Sequence, residues 1–124
     1  VDDHKIMRDG IKAILKPNAD LDVIGETGNG AEAVQLVRKL RPDVVLMDIN
    51  LQGMTGIEAT VEMRRHQPDI RVMILSMYDD EHSVVSAVKA GARGFVLKRA
   101  SDGDVITALR TIAQGGTYLS PRVS

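Results

Sequence analysis

The sequence predicts an α/β fold, a doubly wound parallel sheet with helices on both faces. Three observations carry this. Short apolar runs such as "DVVLM" and "RVMILS" alternate with stretches whose apolar residues recur at helical spacing. The runs are apolar throughout rather than at alternate positions, as strands buried on both faces must be. Between one run and the next lies a segment of helix length, the connection that parallel strands require.

Residues 5–16 repeat Met7, Ile11, Ile14 and Leu15 on one helical face, and "KPNAD" stops the helix. "LDVIGE", residues 21–26, reads as a strand. Asn29 suits the cap of a second helix with Ala33, Val34, Val37 and Leu40 on its apolar face, closed at Arg41 and Pro42. "DVVLM" is then a buried strand ending at Asp48. Thr55 and Glu58 have the spacing of a capping box and open a helix to about His66. "RVMILS" is the next strand and ends in Ser76. A helix over residues 81–90 stops at Gly91, and "GFVLK" is the last strand, ending in Lys98. Ser101 with Asp104 opens a final helix that runs to Gly115 and Gly116.

The two ends of the chain read differently. "VDD" opens it, yet functional acids in an open parallel sheet sit at the carboxyl ends of strands. Asp2 and Asp3 ought therefore to follow a strand of which only Val1 remains, and residues are expected upstream. "GGTYLSPRVS" is turn-rich and aperiodic and reads as the start of a linker. The expected organisation is one domain over 1–115 and a linker over 116–124.

The chain has 124 residues, enough for one domain with its own core. Sixteen basic residues against 17 acidic ones leave a net charge of −1, which offers no footprint for nucleic acid or membrane. Cysteine is absent, which excludes disulfides, thiolate metal sites and thiol catalysis. With no signal-peptide pattern and no spanning apolar run, a cytoplasmic location is expected.

The polar residues share one address. Asp2 and Asp3, Asp48, Ser76 and Lys98 each follow an apolar run, so in a parallel sheet they meet in the crevice at one edge. Each alone has a blander reading, as a turn acid, a cap, a strand-end hydroxyl or a solvated lysine. Together, at successive strand ends, they form a set. Three neighbouring carboxylates repel one another unless a hard divalent cation joins them, and Mg2+ is held by one or two carboxylates plus phosphate oxygens. A lysine ammonium and a serine hydroxyl supply further contacts to phosphate. The combination points to phosphoryl transfer, with Asp48 as a carboxylate nucleophile.

"VDDH", "LMDIN", "ILS" and "GFVLK", in this order with helices between them, resemble the receiver domain of bacterial two-component response regulators. "LSMYDD", "GARGF" and "GGTYLSP" are similar to the NarL/FixJ type, in which a LuxR-type helix-turn-helix domain follows the receiver. The resemblance implies a five-stranded flavodoxin-like sheet of order 2-1-3-4-5, with the first strand largely missing here. It implies Asp48 as phosphoacceptor, Asp3 as a direct Mg2+ ligand, Asp2 as its neighbour through water, and the backbone carbonyl of Asn50 in the metal shell. Ser76 would bond the phosphoryl group, Lys98 would pair with it, and Phe95 would stand as the switch aromatic. The implied partners are a sensor histidine kinase, a second copy on phosphorylation, and DNA only through a C-terminal domain outside this chain. Arg99 and Met77 depart from the pattern, which more often has proline after the lysine and alanine after the hydroxyl residue.

Two competitors weigh less. "GNGAEA", residues 28–33, fits a dinucleotide-binding fingerprint, but Glu26 and Thr27 stand where an apolar strand should feed the first glycine, and the acids, Ser76 and Lys98 would be idle. A phosphatase resembling the haloacid dehalogenase class would use the same residue types. Those enzymes resemble D-x-D, whereas position 50 is Asn50, which cannot take a proton from water. His4, His66 and His82 lack metal-site spacing and read as surface or helix-start residues.

Overall fold

The computed structural model describes residues 1–78 and 80–120. The last part of the expected linker, 121–124, lies outside the described residues. Helices α1 (Lys5–Leu15), α2 (Gly30–Leu40), α3 (Gly56–His66), α4 (Glu81–Ala90) and α5 (Asp102–Ala113) alternate with strands β1 (Val45–Asp48), β2 (Val72–Ser76), β3 (Gly94–Leu97) and β4 (Tyr118–Leu119). All strand pairs are parallel and the order is β1-β2-β3-β4. Among the described residues no helix is long and apolar enough to cross a membrane.

Local chemistry sets the helix starts. The Asn29 side chain accepts from Glu32 N–H, and Thr55 and Glu58 form the reciprocal capping box. Asp80 and Ser101 cap α4 and α5 through the N–H groups of Ser83 and Asp104. Each such cap satisfies a backbone donor that the first turn leaves unpaired, a contribution of about 1 kcal/mol.

Period-two alternation along the strands divides the core into two layers. Met47, Val72, Ile74, Phe95 and Leu97 pack toward α2, α3 and α4 with Ala33, Val34, Val37, Ala59 and Met63. Met73, Leu75 and Val96 face the other way, against Leu15 of α1 and Val105, Leu109 and Ile112 of α5. The sheet is thus covered on both faces, as the continuous apolar runs require.

Residues 21–26 form no strand, contrary to the sequence reading. A strand needs a neighbour to satisfy its backbone, and in the expected order this segment's neighbour is the first strand. Only two residues stand there. Val1 N donates to Leu46 O at 2.6 Å, Asp48 N–H donates to Val1 O at 2.9 Å, and Asp2 N–H donates to Thr27 O at 3.1 Å. Val1 and Asp2 therefore lie between β1 and the 21–27 segment, which is the slot of the first strand in the predicted order. Behind them a cavity of about 460 Å³ opens among Leu15, Leu21, Leu36, Leu40 and Leu46. At the opposite edge the correction runs the other way: Tyr118 and Leu119, expected in irregular chain, pair with Gly94 and Phe95.

Candidate functional site

Strand register lines up the polar ends. Asp48 pairs with Leu75 and Ser76 pairs with Leu97, while Lys98 N–H donates to Ser76 O at 2.8 Å. Asp48, Ser76 and Lys98 thus follow one another along the carboxyl edge of β1, β2 and β3. Asp2 reaches the same edge from the slot beside β1, carried by the backbone bonds of Val1.

Asp2, Asp3, Asp48 and Lys98 come together. Lys98 Nζ donates to Asp2 Oδ2 at 3.0 Å and stands 3.2 Å from Asp48 Oδ1. Asp2 is further held by His4 N–H on Oδ1 at 2.9 Å and by Arg8 Nη1 on its carbonyl at 2.6 Å. Asp2 and Asp48 are each only 3% exposed. A single ammonium between two buried carboxylates, with Asp3 beside them, leaves the cluster short of positive charge.

That shortage shows in the proton affinities. Burial pushes the Asp48 carboxyl above the ordinary aspartate range; the Lys98 charge opposes this and the Asp2 charge reinforces it. Burial acts on Asp2 as well, but the His4 backbone N–H and Lys98 outweigh it and hold Asp2 below that range. Lys98 is desolvated, which disfavours its charge, yet its bonds to Asp2 and Asp48 raise its pKa overall.

The other predicted residues stand in different relations to the cluster. Asn50 is exposed in the loop after β1 and its N–H donates to Asp48 Oδ1 at 3.3 Å. The Ser76 hydroxyl is buried and turned to its own loop, donating to Tyr78 O and accepting from Tyr78 N–H, each at 3.0 Å. Phe95 is buried within the α2–α3–α4 layer, in register with Ile74. Met77 is exposed after Ser76, at 65%.

Two contributors escape the sequence reading. His4, read as an unengaged helix-start residue, places its ring Nδ1 3.1 Å from Asp2 Oδ1 and 3.0 Å from Asp3 Oδ1. Its adjacency to the acid pair was the available signal. Gly56 has no such signal. It opens α3 with its N–H on Ile49 O at 3.0 Å, so close to β1 that a Cβ would collide with the Asp48 carbonyl. "GNGAEA" serves as packing: Gly28 lies against the backbone of Asp2 and Asp3, and Gly30 begins α2.

The donor set fits a divalent cation. Asp2, Asp3, His4 and Asp48 each offer a ligand atom, and these atoms lie within 4.8 Å of one another. Asp3 Oδ1 is buried and makes no hydrogen bond. An orphaned carboxylate oxygen among other carboxylates is a place where a cation relieves both repulsion and desolvation.

Residues 1–110 match the family model of the response regulator receiver domain. The chain is 41% identical over 124 residues to the transcriptional regulatory protein DegU of Brevibacillus brevis, covering 100% of this chain and 52% of that one. It spans about half the length of the curated relatives it matches. Among solved structures it is similar to a two-component response regulator of the LuxR family from Aurantimonas sp. SI85-9A1, with a TM-score of 0.95 and 33% identity, covering 98% of this chain and 87% of that chain. It is also similar to the isolated receiver domain of RcsB from Salmonella enterica serovar Typhimurium, solved with a beryllofluoride phosphomimetic, with a TM-score of 0.89, 25% identity, and coverage of 98% and 91%. The haloacid dehalogenase reading draws no support from these likenesses. This chain belongs to the receiver-domain family of two-component response regulators, in its LuxR branch.

Proposed function

We propose that Asp48 is the phosphoacceptor of a switch whose donor is a phosphohistidine on a sensor histidine kinase. One Asp48 carboxylate oxygen attacks phosphorus, the phosphorus–nitrogen bond breaks, and the electron pair returns to the donor imidazole. The observation that carries this reading is the buried Asp48 carboxylate at the strand end with the Lys98 ammonium 3.2 Å away. Proton affinity raised by burial also makes the carboxylate a stronger nucleophile than an exposed one.

Asp3, Asp48 and the Asn50 carbonyl are suited to hold Mg2+, with Asp2 acting through water. The ion, when bound, supplies the positive charge that the cluster lacks. Lys98 is already positioned by Asp2 and Asp48 to meet a phosphoryl oxygen. Ser76 must give up its bonds to Tyr78 to reach the same group, and this couples phosphorylation to the loop after β2. Rearrangement around Ser76, with Phe95 following into the space released, would alter the surface of α4, β3 and α5.

The output is a second copy of the chain and, through it, a C-terminal DNA-binding domain. The protein acts in the cytoplasm as a switch rather than a turnover enzyme. In support, the RcsB receiver was solved with a phosphoryl mimic, and another solved relative, 25% identical, is a complex of RcsB with DNA.

Intact mass after incubation with Mg2+ and acetyl phosphate tests the core of this reading. One added phosphoryl group on the wild type and none on Asp48→Asn is expected. An adduct that survives Asp48→Asn would move the acceptor elsewhere.

A further inference from the structure

The receiver reading uses every group at the acid cluster except His4. This residue is the N-cap of α1, yet its side chain makes no capping bond, and its ring turns instead toward the acids. The ring is 71% exposed and is held there by its polar contacts with Asp2 and Asp3 rather than by packing. Asp2 is committed, with Oδ1 accepting the His4 N–H and lying 3.1 Å from the His4 ring Nδ1, and Oδ2 accepting from Lys98. Asp3 Oδ1 makes no hydrogen bond and faces the His4 ring.

His4 Nδ1 and Asp3 Oδ1 are 3.0 Å apart. Adjacent ligands on an octahedral ion with bonds of about 2.1 Å stand about 3.0 Å from each other. The pair thus already has the spacing of two neighbouring positions on one ion. We propose that His4 Nδ1 joins Asp3 and Asp48 as a nitrogen ligand, and that the site consequently takes a first-row transition cation such as Mn2+ or Co2+ in preference to Mg2+. Mg2+ demands hard oxygen donors, whereas neutral imidazole favours transition metals and increasingly so along the series from Mn2+ through Co2+. The inference rests on the acid cluster being a divalent-cation site. Its rival is a protonated His4 that pairs with Asp2 and Asp3 as a counter-ion and swings away when a cation arrives.

Calorimetric titration of the protein and of His4→Ala with Mg2+ and with Co2+ separates the two. The wild type is expected to prefer Co2+ over Mg2+ by a ratio at least about tenfold larger than the variant's, with Mg2+ affinity nearly unchanged. A cobalt-shifted exchangeable imidazole N–H resonance should accompany Co2+ binding in the wild type. His4 is exposed, so the variant is expected to fold as the wild type does, and circular dichroism checks it. If both metals bind and the ratio is the same in both proteins, His4 is a counter-ion and the inference is overturned, while the cation site stands. If neither metal binds either protein, the cation site falls and the inference falls with it.

Discussion

The two flanks of the sheet are built from similar sequence and have opposite fates. On one side β2 and β3 are paired on both edges, and Val72, Met73, Ile74 and Val96 are completely buried. On the other, "LDVIGE" carries Leu21, Val23 and Ile24, yet it stays irregular with Val23 39% and Ile24 50% exposed. Composition is part of the difference, since Asp22, Gly25 and Glu26 interrupt this run, and vacant backbone partners are the rest. Backbone donors and acceptors need partners, and the segment beside β1 has only Val1 and Asp2 to offer them. The site straddles this divide: Ser76 and Lys98 rest on the closed flank, and Asp2 and Asp3 on the open one.

Truncation on the closed flank should give the largest effect. Phe95→Ala, which empties a fully buried position between Ile74 and Leu119, is expected to cost about 3–5 kcal/mol in urea unfolding. Ile24→Ala on the open flank should cost less than about 0.5 kcal/mol. Equal losses would mean that the two flanks are equally packed.

Completing the open flank should shrink the contrast. Apolar residues added before Val1 can fill the groove of about 460 Å³ and pair with β1 and the 21–27 segment. Burial less ordering entropy should then raise stability by about 2–3 kcal/mol and protect the amides of residues 23–25 from hydrogen exchange. No gain in protection would assign the groove to something other than a strand.

Smaller effects than these two lie at the site itself, where the two flanks meet. Asp48→Asn removes a buried charge from beside Asp2 and should stabilise the protein by about 1 kcal/mol at neutral pH without added divalent cation. Carboxyl carbon NMR should find Asp48 titrating above the ordinary 3.8 and Asp2 below it. The signs differ for stability. Asp2, depressed in the fold, contributes stability that is present above pH 3.8 and is lost as pH falls through its lowered value. Asp48, raised in the fold, opposes folding above its raised value, and protonation relieves this as pH falls through it. Lys98→Met should move both upward. Unchanged titrations in that variant would show that Lys98 is not what balances the pair.

Much of this was legible because it is local. Asn29, the Thr55–Glu58 pair and Ser101 cap helices through bonds that span three residues, so spacing alone reveals them. "DVVLM", "RVMILS" and "GFVLK" are apolar enough to require burial on both faces, and their ends put Asp48, Ser76 and Lys98 on one edge. Tyr118 and Leu119 were not legible, because nothing in "GGTYLSPRVS" shows that β3 has a free edge within reach. His4 is legible only through its adjacency to Asp2 and Asp3, because histidine spacing along the chain carries no sign of a ring turned onto neighbouring acids.

By itself, then, the sequence determined the alternation of helices and strands, the caps, and the row of polar strand ends, since these depend on contacts between residues close along the chain or on periodicity. Only the tertiary structure decided which apolar run becomes a strand, where the Ser76 hydroxyl points, and how one lysine is shared between Asp2 and Asp48. Those outcomes depend on which backbone edges are vacant and which charges share a buried space, and both are set by residues as distant in the chain as Asp2 and Lys98.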